Sequence, residues 1–252
     1  MIKFICGKNN AEASVSAANV MADVIKNKPD AVIGLATGSS PINMYKDLIR
    51  MCEAGELSFK DVKSVNLDEY VGLTPDHDQS YAYFMNENLF KHIDIDKANT
   101  NLPSGLASDP EAECRRYDAV IESMGGVDIQ LLGIGNNGHI GFNEPDSHFP
   151  KTTSLVELTD STIDANSRFF ASRDLVPTKA ISMGIGQIMA AKKILLVAFG
   201  SGKADILEKS FFGPVTPAVP ASILQFFGGE VVVCADEEAL AVIKEKHPEA
   251  LA

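Results

Sequence analysis

Short apolar runs, rich in β-branched residues, alternate along this chain with stretches whose apolar residues recur at helical spacing. The runs at 2–6, 31–36, 64–67, 128–134, 180–183, 194–199 and 231–234 predict strands. Between them, Val15, Ala18, Met21, Ala22 and Ile25 mark one face of a helix over 11–27, and Ile42, Tyr45, Leu48 and Ile49 mark another over 41–51. Further helices are expected over 81–91, 110–124, 202–211 and 237–246. Such alternation builds a sheet whose strands run mostly parallel, because each crossover helix must lie on a sheet face. The expected fold is a single-domain α/β structure, a Rossmann-like, mostly parallel sheet flanked by helices. No repeat and no linker rich in Pro, Gly or Ser divides the chain, so one domain is expected over 1–252. Residues 146–178 are polar, weakly periodic and longer than an ordinary connection, which makes them a candidate lid.

Composition changes this picture mainly by exclusion. With 252 residues, 45% of them hydrophobic and 22% charged, the chain is long enough for a full α/β core. A formal net charge of -12 and the lack of a basic stripe argue against a nucleic-acid partner, whose phosphates are bound through clustered Lys and Arg. An anionic small molecule would instead be met by helix N-termini and a few placed cations. Cys6, Cys52, Cys114 and Cys234 lie far apart, without a CxxC pair or a nearby His at ligand spacing, and are expected to be reduced core thiols. The five histidines show no HExxH or similar spacing, so no metal is expected. Neither a signal-peptide apolar region nor a run of membrane-spanning length is present, and the chain is expected to be soluble, cytoplasmic and free of membrane contact.

Four segments carry candidate chemistry. In GLATGSSP (34–41), Ser40 is expected as an N-cap and Pro41 as the first helical residue. The amides of Gly38, Ser39 and Ser40 would then face an anion, best a phosphate, although an ordinary capped helix accounts for the segment equally well. In SVNLDEYVGL (64–73), Asp68 and Glu69 follow an apolar run at the end of a strand, where open α/β sheets place ligands. Adjacent residues of a strand face opposite ways, so only one of the two acids can enter the crevice.

The third segment, LLGIGNNGHIGFNEP (131–145), spells GxGxxG through Gly133, Gly135 and Gly138. A dinucleotide site needs a helix to start at the last of these glycines. Gly141 and Pro145 interrupt the chain too soon for that, so the nucleotide reading is set aside. What remains is a turn carrying Asn137, His139 and Glu144, an imidazole and a carboxylate suited to proton transfer near neutral pH; a lone histidine satisfied by the structure is the alternative. The fourth, GSGKA (200–204), lacks the spacing and the hydroxyl of a P-loop, which leaves Lys203 as a candidate phosphate cation.

Taken in order, TGSSP, NLDEYVGL, the SYxxFMxxxLF pattern of 80–90, GIGxNGHIGFNEP, ANSRFF (165–170) and the late GSGKA resemble the glucosamine-6-phosphate deaminase family over nearly the whole chain. The resemblance implies conversion of D-glucosamine 6-phosphate and water to D-fructose 6-phosphate and ammonium in amino-sugar catabolism, without a cofactor. It implies His139 as the group that opens the sugar ring, Glu144 as its orienting partner and Asp68 as the base at C2. Thr37, Gly38, Ser39 and Ser40 would hold the phosphate, with Arg168 and Lys203 as counter-charges. Asn137 stands where some members have Asp; an amide is no base, so it can only position its neighbours. Allosteric members carry an Arg and a Lys shortly after the motif, where this chain reads Thr153, Ser154, Leu155 and Val156, and the C-terminus is shorter than theirs. Activation by N-acetylglucosamine 6-phosphate is therefore not expected, whereas a homo-oligomer is compatible with the sequence.

Overall fold

In the computed structural model, which describes residues 1–251 without the side chains at 161 and 165, six of the seven predicted strands join one parallel sheet. Ala252, the last residue of the expected domain, lies outside the described residues. The strands are β1 (Ile2–Gly7), β2 (Val32–Leu35), β3 (Lys63–Asn66), β4 (Asp68–Tyr70), β5 (Thr100–Asn101), β6 (Ile129–Leu132), β7 (Ser154–Glu157), β8 (Lys179–Ser182), β9 (Lys193–Ala198) and β10 (Glu230–Asp236). The helices are α1 (Asn10–Asn27), α2 (Ile42–Glu53), α3 (Tyr81–Asn88), α4 (Pro110–Ser123), α5 (Asp160–Asn166), α6 (Ile185–Ile188), α7 (Ala204–Phe212) and α8 (Ala241–Lys246).

The main sheet runs β1-β10-β9-β6-β2-β3-β5, with every neighbouring pair parallel. Helices flank the sheet, which is why its central strands read as mostly apolar runs: every residue of β2 and β6 is buried, the polar Gln130 included. Small residues let the helices approach closely. α1 presents Ala13, Ala17, Ala18 and Ala22 beside Met21 and Ile25 to the core, and Asn9 caps its first turn through Glu12 N. Val15, counted with that face on periodicity, is exposed. At the opposite edge of the strands, the buried Asp128 accepts from Lys28 (2.6 Å), Lys192 (2.7 Å) and Val32 N (2.8 Å), tying the entries to β2, β6 and β9 together.

The remaining predicted strand, at 180–183, belongs elsewhere. As β8 it pairs antiparallel with β4 and β7 in a separate three-stranded sheet. The candidate lid segment is thus partly regular, containing β7 and α5. A second, smaller core holds it, in which Leu158, Ile163 and Val176 pack with Tyr70, Phe142 and Ala180. Two sequence expectations fail at local points. The expected core thiols are free, but Cys6 is exposed and Cys52 only half-buried, because each sits near the rim of its element; Cys114 and Cys234 are buried. Pro41, not Ser40, occupies the N-cap of α2, and no side chain caps that helix. Pro41 already has helical angles and its carbonyl accepts the first helical bond, from Tyr45 N, so the start falls one residue later than the capping pattern suggests. Among the described residues no helix is long and apolar enough to cross a membrane.

Candidate active site

From β2 the chain moves outward through β3 and β5, whereas from β6 it moves the other way through β9 and β10. The adjacent strands β2 and β6 therefore send their following segments apart, and a crevice opens beyond their carboxyl ends. The loops after β2, β6 and β9 all meet this edge.

The turn after β6 is built on itself. Gly135 N donates to His139 O (2.9 Å), Gly138 N donates to Gly135 O (3.0 Å), and Ala221 N holds Gly138 O (2.8 Å). Two glycines are required by space and angle. A Cβ on Gly135 would lie 2.3–2.5 Å from the His139 ring, and Gly138 has φ of +88° with Val219 against it. No α-helix starts between β6 and α5, so the turn offers no helix N-terminus to a pyrophosphate.

Within this turn the expected residues come together. Asn137 Oδ1 accepts from His139 N (3.1 Å), and Asn137 Nδ2 donates to Glu144 Oε2 (2.6 Å), so the amide clamps the two partners in one arrangement. His139 Nδ1 faces Glu144 Oε1 at 3.5 Å, an ion-pair distance longer than a hydrogen bond. Burial opposes charge on Glu144. His139, together with the donors Thr162 and Asn137, outweighs that effect and holds the carboxyl down to about 2. The loop is anchored on both sides: Phe142 N donates to Ser182 Oγ (3.0 Å), and the buried Asn143 donates to Ile140 O (2.8 Å) and Met183 O (2.9 Å).

The adjacent acids Asp68 and Glu69 are separated by what they bond. Glu69 accepts from Tyr70 N, Tyr81 N and Ala82 N, each at 2.9 Å, and so closes the N-terminus of α3. Asp68 is 6% exposed, and its carboxyl makes no hydrogen bond among the described residues. Burial, and next the charge of Glu69, push its pKa up to about 8. It stands beside the turn, since a Cβ on Gly141 would lie 3.6 Å from Asp68 Oδ2. A buried carboxylate free of partners is a base available to a ligand.

The expected phosphate residues fall on two scaffolds. Gly38 (φ +91°) and Ser39 are exposed and Ser40 half-buried ahead of the uncapped α2, whose first amides lack side-chain partners. Tyr45 fixes this loop by donating to Ala36 O (2.6 Å), and the Thr37 side chain meets the Tyr81 hydroxyl. Opposite, Lys203 Nζ donates to Ile134 O (2.8 Å) and Asn136 Oδ1 (2.6 Å) at the turn after β6. Its pKa is lowered by burial and then by the charge of Arg168, so two cations that repel one another converge here. The Arg168 guanidinium lies over the Phe169 ring at 4.6 Å. Among the described residues the 37–40 loop makes no hydrogen bond to Arg168 or Lys203.

Two contributors were not singled out in the sequence. Thr162 of α5 donates to Glu144 Oε1, and an aromatic cluster in which Tyr81 stacks on Phe142 while Tyr70 tilts against both lies near Asp68, whose charge acts on the two tyrosines. The Thr-x-x-Thr capping pattern at 159–162 is a signal for α5, but nothing local tells that Thr162 reaches across to Glu144.

Residues 9–233 match the family model described as glucosamine-6-phosphate isomerases/6-phosphogluconolactonase. A glucosamine-6-phosphate deaminase of Lachnoclostridium phytofermentans is 57% identical over 236 residues, covering 94% of this chain and all of that one. One from Clostridium perfringens is 54% identical over 243 residues, covering 96% of this chain and all of its own. Among solved structures, that of a monomeric glucosamine-6-phosphate deaminase matches with a TM-score of 0.92 at 46% identity, covering 95% of this chain and 99% of that one. The chain belongs to the glucosamine-6-phosphate isomerase/6-phosphogluconolactonase family.

Proposed function

We propose that this chain converts D-glucosamine 6-phosphate and water to D-fructose 6-phosphate and ammonium. The observation that carries the reading is the division of labour between adjacent acids: Glu69 is consumed in capping α3, while Asp68 is left buried and unbonded beside the His139 turn. A lone base at C2 with a separate imidazole is the equipment an aldose-ketose isomerisation needs.

In this reading His139 takes the proton of the anomeric hydroxyl and returns it to the ring oxygen, opening the pyranose, with Glu144 and Asn137 holding the imidazole. Asp68 then removes the C2 proton while the C1 carbonyl oxygen takes a proton from the substrate's own ammonium group, giving an enolamine, and Asp68 redelivers its proton to C1 to leave a protonated imine at C2. The resulting C2 imine is hydrolysed by water, releasing ammonia, which is protonated in solution. The substrate's own amine and carbonyl supply the electron shifts, so no cofactor or metal enters. Gly38, Ser39 and Ser40, with Thr37, Arg168 and Lys203, bind the phosphate. The enzyme acts in the cytoplasm, on a small-molecule sugar phosphate and not on nucleic acid.

The positions where allosteric members carry cations are occupied by packing: Thr153 is buried and bonds Gln187 at 2.9 Å, and Val156 packs on the second core. We infer hyperbolic kinetics, unaffected by N-acetylglucosamine 6-phosphate; sigmoidal rates relieved by that compound would contradict this. The primary test incubates purified protein with glucosamine 6-phosphate and follows fructose 6-phosphate and ammonium, with 6-phosphogluconolactone as the competing substrate. Equimolar products are expected from the first and no hydrolysis of the second. Absence of product from glucosamine 6-phosphate overturns the reading.

A further inference from the structure

One buried hydroxyl in the site has no part in the chemistry just described. Thr162 is 6% exposed in the first turn of α5. Its hydroxyl receives a hydrogen bond from Thr159 Oγ1 (3.2 Å), the N-cap of that helix, and donates its own proton to Glu144 Oε1. Oε1 is the same oxygen that faces His139 Nδ1 at 3.5 Å. That Nδ1 is buried and without a hydrogen-bond partner among the described residues. The other carboxylate oxygen is occupied by Asn137.

Resting on the deaminase reading, we propose that Thr162 is a positioning residue whose hydroxyl holds Glu144 Oε1 short of His139, so that α5 sets how tightly the carboxylate grips the imidazole. An imidazole that must both accept and return a proton works best when its charged and neutral forms are close in energy. A short, unshared bond to a buried carboxylate would trap the imidazolium. Donation from Thr162 spreads the carboxylate charge and keeps the imidazole at ion-pair distance. The other charged groups at the site are Lys203 from the turn before α7, Arg168 from the turn after α5, and Asp68 from β4. None of them bonds Thr162, so a change there leaves them in place.

The test follows the His139 ring signal of the ligand-free protein by NMR across pH, assigned with His139→Gln. In Thr162→Val the titration midpoint is expected to rise by about half a unit or more, a fraction of the effect of a close opposite charge. In Thr162→Ser, which keeps the hydroxyl, it stays with the parent. In a Glu144→Gln background Thr162→Val has no effect on it, because the carboxylate through which Thr162 acts is gone. With glucosamine 6-phosphate the acid limb of kcat/KM moves in the same direction. An unmoved or lowered midpoint in folded Thr162→Val, or an equal rise in the Glu144→Gln background, overturns the proposal; Thr162→Ala is read in the same way if the valine variant does not fold. The titration needs no substrate, so a protein inactive on glucosamine 6-phosphate would remove the proposed function while this test still gave its own answer.

Discussion

Asp68 and Glu69 show how far a single residue can be read from sequence and where structure takes over. Their place at a strand end marked both as candidates, and alternation said that only one enters the crevice. Which one depended on α3, whose N-terminus consumes Glu69, a fact no neighbouring letter carries. Asp68→Asn is expected to lower turnover by ~10²- to 10⁴-fold, the usual contribution of a placed base. The same substitution reads on stability. The folded protein keeps the Asp68 proton to about pH 8, whereas an unfolded chain releases it near pH ~4. Folding therefore takes up a proton between those values, and stability falls as pH rises. In thermal melts, Asp68→Asn should track the parent most closely at pH 5 and melt progressively higher than it by pH 9. Glu144 runs the other way. Its carboxyl is held down to about 2, so the stability it contributes is present above about pH 4 and lost as pH falls toward 2. Glu144→Gln should melt below the parent at pH 6, with the gap closing on acidification.

At the scale of elements, six parallel strands were legible because burial on both faces writes them as apolar runs. The rest escaped for physical reasons. β5 has two residues and α6 four, too short for any periodicity to register. β4 follows β3 after the single residue Leu67, where the chain changes sheets, and its residues Asp68, Glu69 and Tyr70 make no apolar run to mark a strand. β7 is an edge strand of half-buried and exposed positions, so residues 154–157 resemble a loop. The glycine-rich turn does carry the His139 imidazole, and its spacing fits because Gly135 has no side chain. Gly135→Ala should displace the His139 ring and lower turnover by roughly 10²-fold, the scale of an ångström-sized misplacement, while circular dichroism stays that of the parent. Asp128 is the contrasting case, an element-level clamp remote from the site. Asp128→Ala strips partners from two half-exposed lysines and the Val32 amide, and should cost about 1–3 kcal/mol in chemical denaturation without changing KM.

For the whole molecule, a net charge of -12 and an anionic substrate set a conflict that the sequence disclosed but did not resolve. The proposed site would meet it locally, through Lys203 and Arg168, which lie close enough to repel one another, and the first amides of α2, which no side chain caps. Lys203→Met should raise KM for the sugar phosphate by about 10- to 100-fold with a smaller effect on kcat, and the more exposed Arg168→Met should raise it less. The fold class was visible in the sequence, and the candidate site residues stood out there because their motifs sit at strand ends. The second sheet was not, since it is made of pairings between β4, β7 and β8 that lie far apart along the chain. That sheet is stitched to the first at Leu67, whose amide donates to Leu35 O (3.2 Å) while its carbonyl accepts from Met183 N (2.7 Å). Asp68, the proposed base one residue on, thus borrows its rigidity from the large sheet. Amide hydrogens at Leu67 and Met183 should exchange with solvent only when the whole protein opens, whereas those of α5 exchange through local opening, so the proposed base at Asp68 rests on a fixed anvil while Thr162, the hydroxyl behind Glu144, sits on a part that can breathe.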